Sequence, residues 1–176
     1  YAVAEKYLQL IEKTTFHKEW AATDQAFLFN DEAIEADAEL GDKRRSLSQK
    51  NRFAMFYGWQ PELEDILTAN PKNEKAMLYL GLGFLLNKDM EGFHRFLDKY
   101  YGTEALQTLP VVFQQGVIAL FQQEKQKWEN YDLSPQVVKM YNQYRDLFFK
   151  NQRQPNLKNI LARSFGHTFW YYLMFV

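Results

Sequence analysis

A chain of 176 residues suits one compact domain, or a short stack of repeats, better than two independent cores. Its 47% hydrophobic and 24% charged residues exclude wholesale disorder, and 21 Lys+Arg against 22 Asp+Glu leave a net charge of -1, which gives nucleic acid no chain-wide electrostatic hold. Cysteine is absent, which excludes disulfides, a thiolate nucleophile and a Cys-based zinc site.

Tyr1 is not an initiator methionine and no charged segment with an apolar run follows it, so the expectation is a processed or excised piece with any signal or anchor upstream. Val3, Tyr7, Leu10 and Ile11 then recur on one helical face, as do Phe16, Trp20 and Phe27. The next stretch gathers six acids, Asp31, Glu32, Glu35, Asp37, Glu39 and Asp42, with Lys43, Arg44 and Arg45 directly behind them. A calcium loop needs a central glycine and a closing glutamate at fixed spacing, and Gly41 comes too late for that. The run reads instead as a solvated acidic helix relieved by the three bases, able to supplement a partner contact.

Further along, Gln60-Pro61-Glu62-Leu63-Glu64 places a proline and two acids in a first turn, at the positive end of the helix dipole. Asn70-Pro71, Gly102 and Gln154-Pro155 mark breaks, while Thr108-Leu109-Pro110 restarts or kinks a helix. At Ser134-Pro135 the hydroxyl is placed to accept from an exposed amide, and behind it Val137, Tyr141, Tyr144 and Phe148 repeat at three or four. Strand alternation is absent. The expectation is an all-α chain of about eight or nine helices, each of about 8 to 20 residues, forming a single domain over 1–176. Phe165 to Val176 is the one membrane-like stretch, but a dozen helical residues reach roughly 18 Å against about 30 Å of hydrocarbon. It cannot span.

Between Ile66 and Tyr101 the chain carries a recognisable pattern. Asn70-Pro71-Lys72-Asn73 stands as a turn, Leu80-Gly81 as a Leu-Gly pair, Phe84 as the large aromatic after it, Asn87-Lys88-Asp89-Met90 as an inner turn, and Leu97 and Tyr100 as second-helix packing positions. This resembles a tetratricopeptide repeat. Phe93 departs from the pattern, which carries a small residue there, and implies looser or differently angled packing. One repeat upstream, Trp59, Leu63 and Ile66 match the second helix of a preceding unit, whose first helix around Leu47 to Tyr57 lacks the Leu-Gly pair. Gln115-Gly116 and Gln154-Pro155-Asn156 echo the pattern faintly downstream.

The resemblance implies antiparallel helix pairs stacked as a short right-handed superhelix with an atypical C-terminal cap. It puts Lys75, Leu78, Leu82 and Leu85 on the concave, partner-facing side, with Ala76, Leu80, Gly81 and Phe84 inside the stack. Three leucines in one exposed stripe ask for cover, since each is worth roughly 1.5–3 kcal/mol once buried. Either the segment Phe169–Phe175 folds back onto them, or a protein partner's amphipathic helix or a second copy of the chain does. The chain as a whole also resembles the soluble C-terminal portion of an uncharacterised family of multi-pass membrane proteins of Bacteroides-type bacteria, which implies a location and brings no functional motif.

Reaction chemistry has little footing. His17, His94 and His167 are too far apart for a linear metal motif, no serine sits in Gly-x-Ser-x-Gly, and Gly81-Leu82-Gly83 lies within an apolar helix without the third glycine of a phosphate cradle. The expected function is therefore non-enzymatic and needs no metal or cofactor: an interaction or scaffolding domain of a longer, membrane-attached protein, binding a protein or peptide. The 15 Phe, 11 Tyr and 4 Trp serve a core first. The alternative is a glycan or small molecule stacked on Trp59, Trp128 and Trp170.

Overall fold

A computed structural model describes residues 1–45, 47 and 58–176. The chain is all-α: every regular element among the described residues is helical, with eleven α-helices and three short 3-10 segments. The helices are more numerous than the sequence expectation, and three of them are shorter than two full turns.

Two units gather their contacts internally, Tyr1–Lys50 and Asn51–Val176, where the sequence led to a single domain over 1–176. The first unit holds α1 (Ala2–Ile11), α2 (Lys18–Asp24), a 3-10 segment (Gln25–Phe27), α3 (Asp31–Ala36) and α4 (Ala38–Arg45), with α1 packed on α2 and α3 on α4. The acidic run expected as one helix is broken at Asp37. Its backbone is extended there (ψ 132°), and its carboxylate accepts from the N–H groups of Glu39 at 3.0 Å and Leu40 at 2.8 Å. An aspartate side chain offers the backbone this local alternative to continuing a helix.

The second unit runs through α5 (Trp59–Ala69), α6 (Glu74–Leu86), α7 (Met90–Tyr100), α8 (Val111–Leu120), α9 (Pro135–Asn151), α10 (Leu157–Phe165) and α11 (Phe169–Phe175), with 3-10 segments at Glu104–Leu106 and Lys125–Asn130. Consecutive helices pack on one another, and α11 returns to α8. The breaks at Asn70, Gly102, Pro110 and Gln154-Pro155 lie where the sequence put them. Asn73 and Asp89 cap α6 and α7, accepting from the N–H groups of Ala76 at 3.0 Å and Gly92 at 2.7 Å. Ser134 behaves differently from its expected role. The N–H of Val137, which its hydroxyl would have capped, is bonded by the Ser134 carbonyl at 3.0 Å, and the hydroxyl donates to Gln136 Oε1 at 2.7 Å. The first helix of a preceding repeat, around Leu47 to Tyr57, lies outside the described residues apart from Leu47.

Helix α8 is the spine. Phe113 to Ile118 are all buried, with Phe113 and Val117 in a cluster shared with α5–α7 and Ile118 in one shared with α9–α11. Two glycines allow this closeness. A Cβ on Gly81 would run into the rings of Phe113 and Phe96, and one on Gly116 would lie 2.7 Å from the Phe93 ring and 2.9 Å from Leu85. The packing at Phe93 is accordingly not loose. That ring is fully buried, stacked on Phe96 (centroids 5.9 Å apart) and edge-on to Phe113 at 5.7 Å, because the small residue stands opposite it on α8. None of the described helices is long and apolar enough to cross a membrane.

Candidate functional site

The stripe expected on α6 is present but rotated by about one residue. Lys75 is exposed, Leu78 is 37% exposed and Leu82 is half-buried against the core. Leu85 is only 1% exposed and leaves the partner-facing set, because it fills the hole left by Gly116 on α8. Tyr79 and Leu86, 63% and 61% exposed, take its place. The open face therefore runs Lys75, Tyr79, Leu82, Leu86, flanked by Leu78.

Helix α11 reaches the end of this face but leaves it open. Gln115 accepts the Phe169 N–H on its side-chain oxygen at 2.7 Å and the Trp170 Nε1–H on its backbone oxygen at 2.9 Å, which seats α11 on α8. Phe169, Trp170 and Tyr171 are buried there, and Phe169 joins the same cluster as Leu85. Beyond them the Tyr172 hydroxyl donates to the Leu86 carbonyl at 2.7 Å. The neighbouring Gln114 does the same work toward α9, donating to the Leu109 carbonyl and accepting the Ser134 N–H, both at 2.8 Å. Neither glutamine was singled out from the sequence for this role. Their signal is two adjacent amides in the otherwise apolar run Val111–Leu120.

The first unit holds a second apolar surface. A groove of about 490 Å³ is lined by Tyr7, Leu8, Ile11, Trp20, Phe27 and Ile34 among others. Three acids of the unit meet basic partners within it. Asp31 accepts from Arg44 at 2.7 Å and from the Tyr1 hydroxyl, Arg44 and Arg45 reach Glu35 at 3.5 and 3.7 Å, and Lys43 meets Glu39 at 2.5 Å. The Tyr1 hydroxyl, and after it Arg44, hold the Asp31 carboxyl below the usual carboxylate range. The rings and aliphatic chains are not matched: Val3, Tyr7, Leu10, Phe16, Trp20 and Phe29 are each more than half exposed, Phe16 by 91%.

Residues 1–176 match the model of DUF6057, a family of unknown function. The chain belongs to this family. Neither the curated proteins nor the solved structures contain a match to it.

In this DUF6057 member the three indoles named for ligand stacking are mainly packing groups. Trp59 stands edge-on to Phe84, its ring against Gly83. Trp128 donates to the Phe121 carbonyl at 3.0 Å and Trp170 is committed to Gln115. His94 lies edge-on to Phe121, 3.7 Å from Asp98, while His17 and His167 are exposed. No group of three metal-capable side chains forms among the described residues.

One titration in the second unit has a measurable consequence. Burial, with Tyr141 adding to it, pushes the Tyr144 hydroxyl from 10.0 up to about 12. The unfolded chain then loses its proton first, so this contribution to stability is whole below pH 10 and is lost as pH climbs toward about 12. Urea unfolding across that window should show a steeper fall for the native chain than for Tyr144→Phe. Equal slopes would refute it.

Proposed function

We propose that this chain is a non-catalytic interaction module of a longer, membrane-attached protein, and that its first unit receives an amphipathic helix of a protein partner in the groove between its helices. One observation carries the proposal: seven large apolar side chains of that unit, Leu47 among them, are more than half exposed, while Ala21 and Gly41 are its only buried described residues. A unit of this size with nothing larger inside lacks a self-sufficient core, and its apolar face asks for one from outside. The unit carries ten acids against seven bases over residues 1–50, which favours a helix with basic flanks. The open face of α6, with Lys75, Leu78 and Leu82 from the original stripe, serves as a supplementary contact, and the consecutive helix pairs around it support the tetratricopeptide-like reading.

A photo-crosslinking residue at Phe16 in the full chain, expressed in its native host, tests this against Tyr7→Glu with Leu10→Glu. The expected result is one recurring crosslinked protein, lost in the double variant, with unfolding free energy changed by no more than about 0.5 kcal/mol per exposed site. Equal crosslinking in both chains removes the proposal. Sedimentation separates a second copy of the chain from a different partner, since only self-association depends on the concentration of this chain alone.

A further inference from the structure

The second unit contains a cleft that neither the core nor the interaction surface accounts for. It is about 510 Å³, within the roughly 300–1,000 Å³ of small-molecule sites, and lies among the end of α8, one face of α9 and α11. Its walls are apolar, made by Phe148, Phe149, Trp170 and Met174. Its polar groups, Gln122, Gln123, Tyr141, Tyr144 and Arg145, come from α9 and the segment after α8.

Those polar groups are poorly employed by the protein itself. Tyr144 is 5% exposed, and its hydroxyl reaches only the Trp170 carbonyl at 3.5 Å and Met174 Sδ at 3.7 Å, both long for an O–H donor. Among the described residues the Tyr141 hydroxyl and the Gln122 amide have no hydrogen-bond partner. The guanidinium of Arg145 meets only its chain neighbour Asp146, at 3.4 Å. Both phenols are protonated and able to donate at neutral pH, as tyrosines ordinarily are; burial raises them further, Arg145 offsets part of the rise at Tyr141, and all three groups line the same cleft. No Asp or Glu lines the cleft, so its charge is that of the guanidinium.

We infer that this cleft binds a small amphipathic carboxylate, its acid group held by Arg145 and the two phenols and its apolar body laid between Phe148, Phe149 and Trp170. Guanidinium and phenol donors match an acceptor-only anion, and charge-assisted bonds of this kind are the strong ones. Aromatic walls favour an apolar or ring-bearing body over a sugar, whose many hydroxyls need more polar partners than these walls offer. The cleft lies wholly within the second unit, so the inference stands or falls independently of the groove in the first.

The probes are 4-phenylbutyrate, octanoate and the uncharged 4-phenylbutanol, titrated into the full chain with calorimetry and tryptophan emission, since Trp170 forms part of the wall. Saturable binding of 4-phenylbutyrate is expected, weakened about tenfold or more in Arg145→Gln and less in Tyr144→Phe. Phe149→Ala, at an exposed position that leaves the fold intact, should weaken 4-phenylbutyrate and 4-phenylbutanol alike, whereas Arg145→Gln should leave the alcohol unchanged. Octanoate binding that survives Phe149→Ala would assign the body to an acyl chain within the same site. No saturable binding of either acid at millimolar concentration, or an Arg145→Gln chain that binds 4-phenylbutyrate as tightly as the native one, overturns the inference.

Discussion

Deleting residues 165–176 should lower the melting temperature of the chain sharply and expose apolar surface that binds dye. The segment supplies Phe169, Trp170 and Tyr171 to the core, and each such side chain is worth roughly 1.5–3 kcal/mol on burial. The sum is comparable with the whole stability of an ordinary domain, about 5–15 kcal/mol. Deletion also strands the Gln115 oxygens, which accept the Phe169 N–H at 2.7 Å and the Trp170 Nε1–H at 2.9 Å, inside what remains of α8's packing. Trp170→Ala isolates the largest part, with an expected loss of about 3–5 kcal/mol by denaturant unfolding. Trp170→Phe should cost less, since it keeps most of the ring and loses mainly the bond to the Gln115 carbonyl. A melting temperature unchanged by the deletion would show that α11 is not part of the core.

The second large effect concerns Phe93 and Gly116, and it changes sign with background. Phe93→Ala restores the small residue of the repeat pattern yet should destabilise by about 3–5 kcal/mol, because the fully buried ring leaves a cavity between Phe96 and Phe113. Gly116→Ala in the native chain should destabilise by about 1–3 kcal/mol, as its Cβ would sit 2.7 Å from the Phe93 ring. In the Phe93→Ala background the same change meets open space on that side and only the flexible end of Leu85 on the other. Helix propensity then favours alanine by up to about 1 kcal/mol. A double-mutant cycle by urea unfolding should give a coupling of about 2 kcal/mol or more. Additive losses would mean that the two positions do not share the space assigned to them.

Much of this was legible in sequence because it is local chemistry. Asn73 and Asp89 lie in turns that the sequence marked, where the structure shows their side chains capping amides three residues on, and Gly102, at φ 84°, and Pro110 stop or start helices through their own backbone restrictions. The stripe on α6, which the tetratricopeptide resemblance implied, lies within about one residue of the exposed face. The error at Leu85 arises because which flank of that face is covered depends on Gly116, a residue of another helix. The break at Asp37 and the Ser134 hydroxyl, turned to Gln136 and not to the helix amides, mark a limit of the local signals. A capping side chain has more than one amide or acceptor in reach, and its neighbours decide among them.

From sequence alone came the helical class, the breaks between helices of the second unit, and the absence of cysteine chemistry, all properties of residues and their immediate neighbours. Tertiary structure decided which rings are core and which line a cleft, that Gln114 and Gln115 tie α8 to α9 and α11, and that the first unit leaves its apolar side chains uncovered. Burial is a property of pairs distant along the chain, and a ring's type and period are the same whether its opposite number is a glycine, another ring or water.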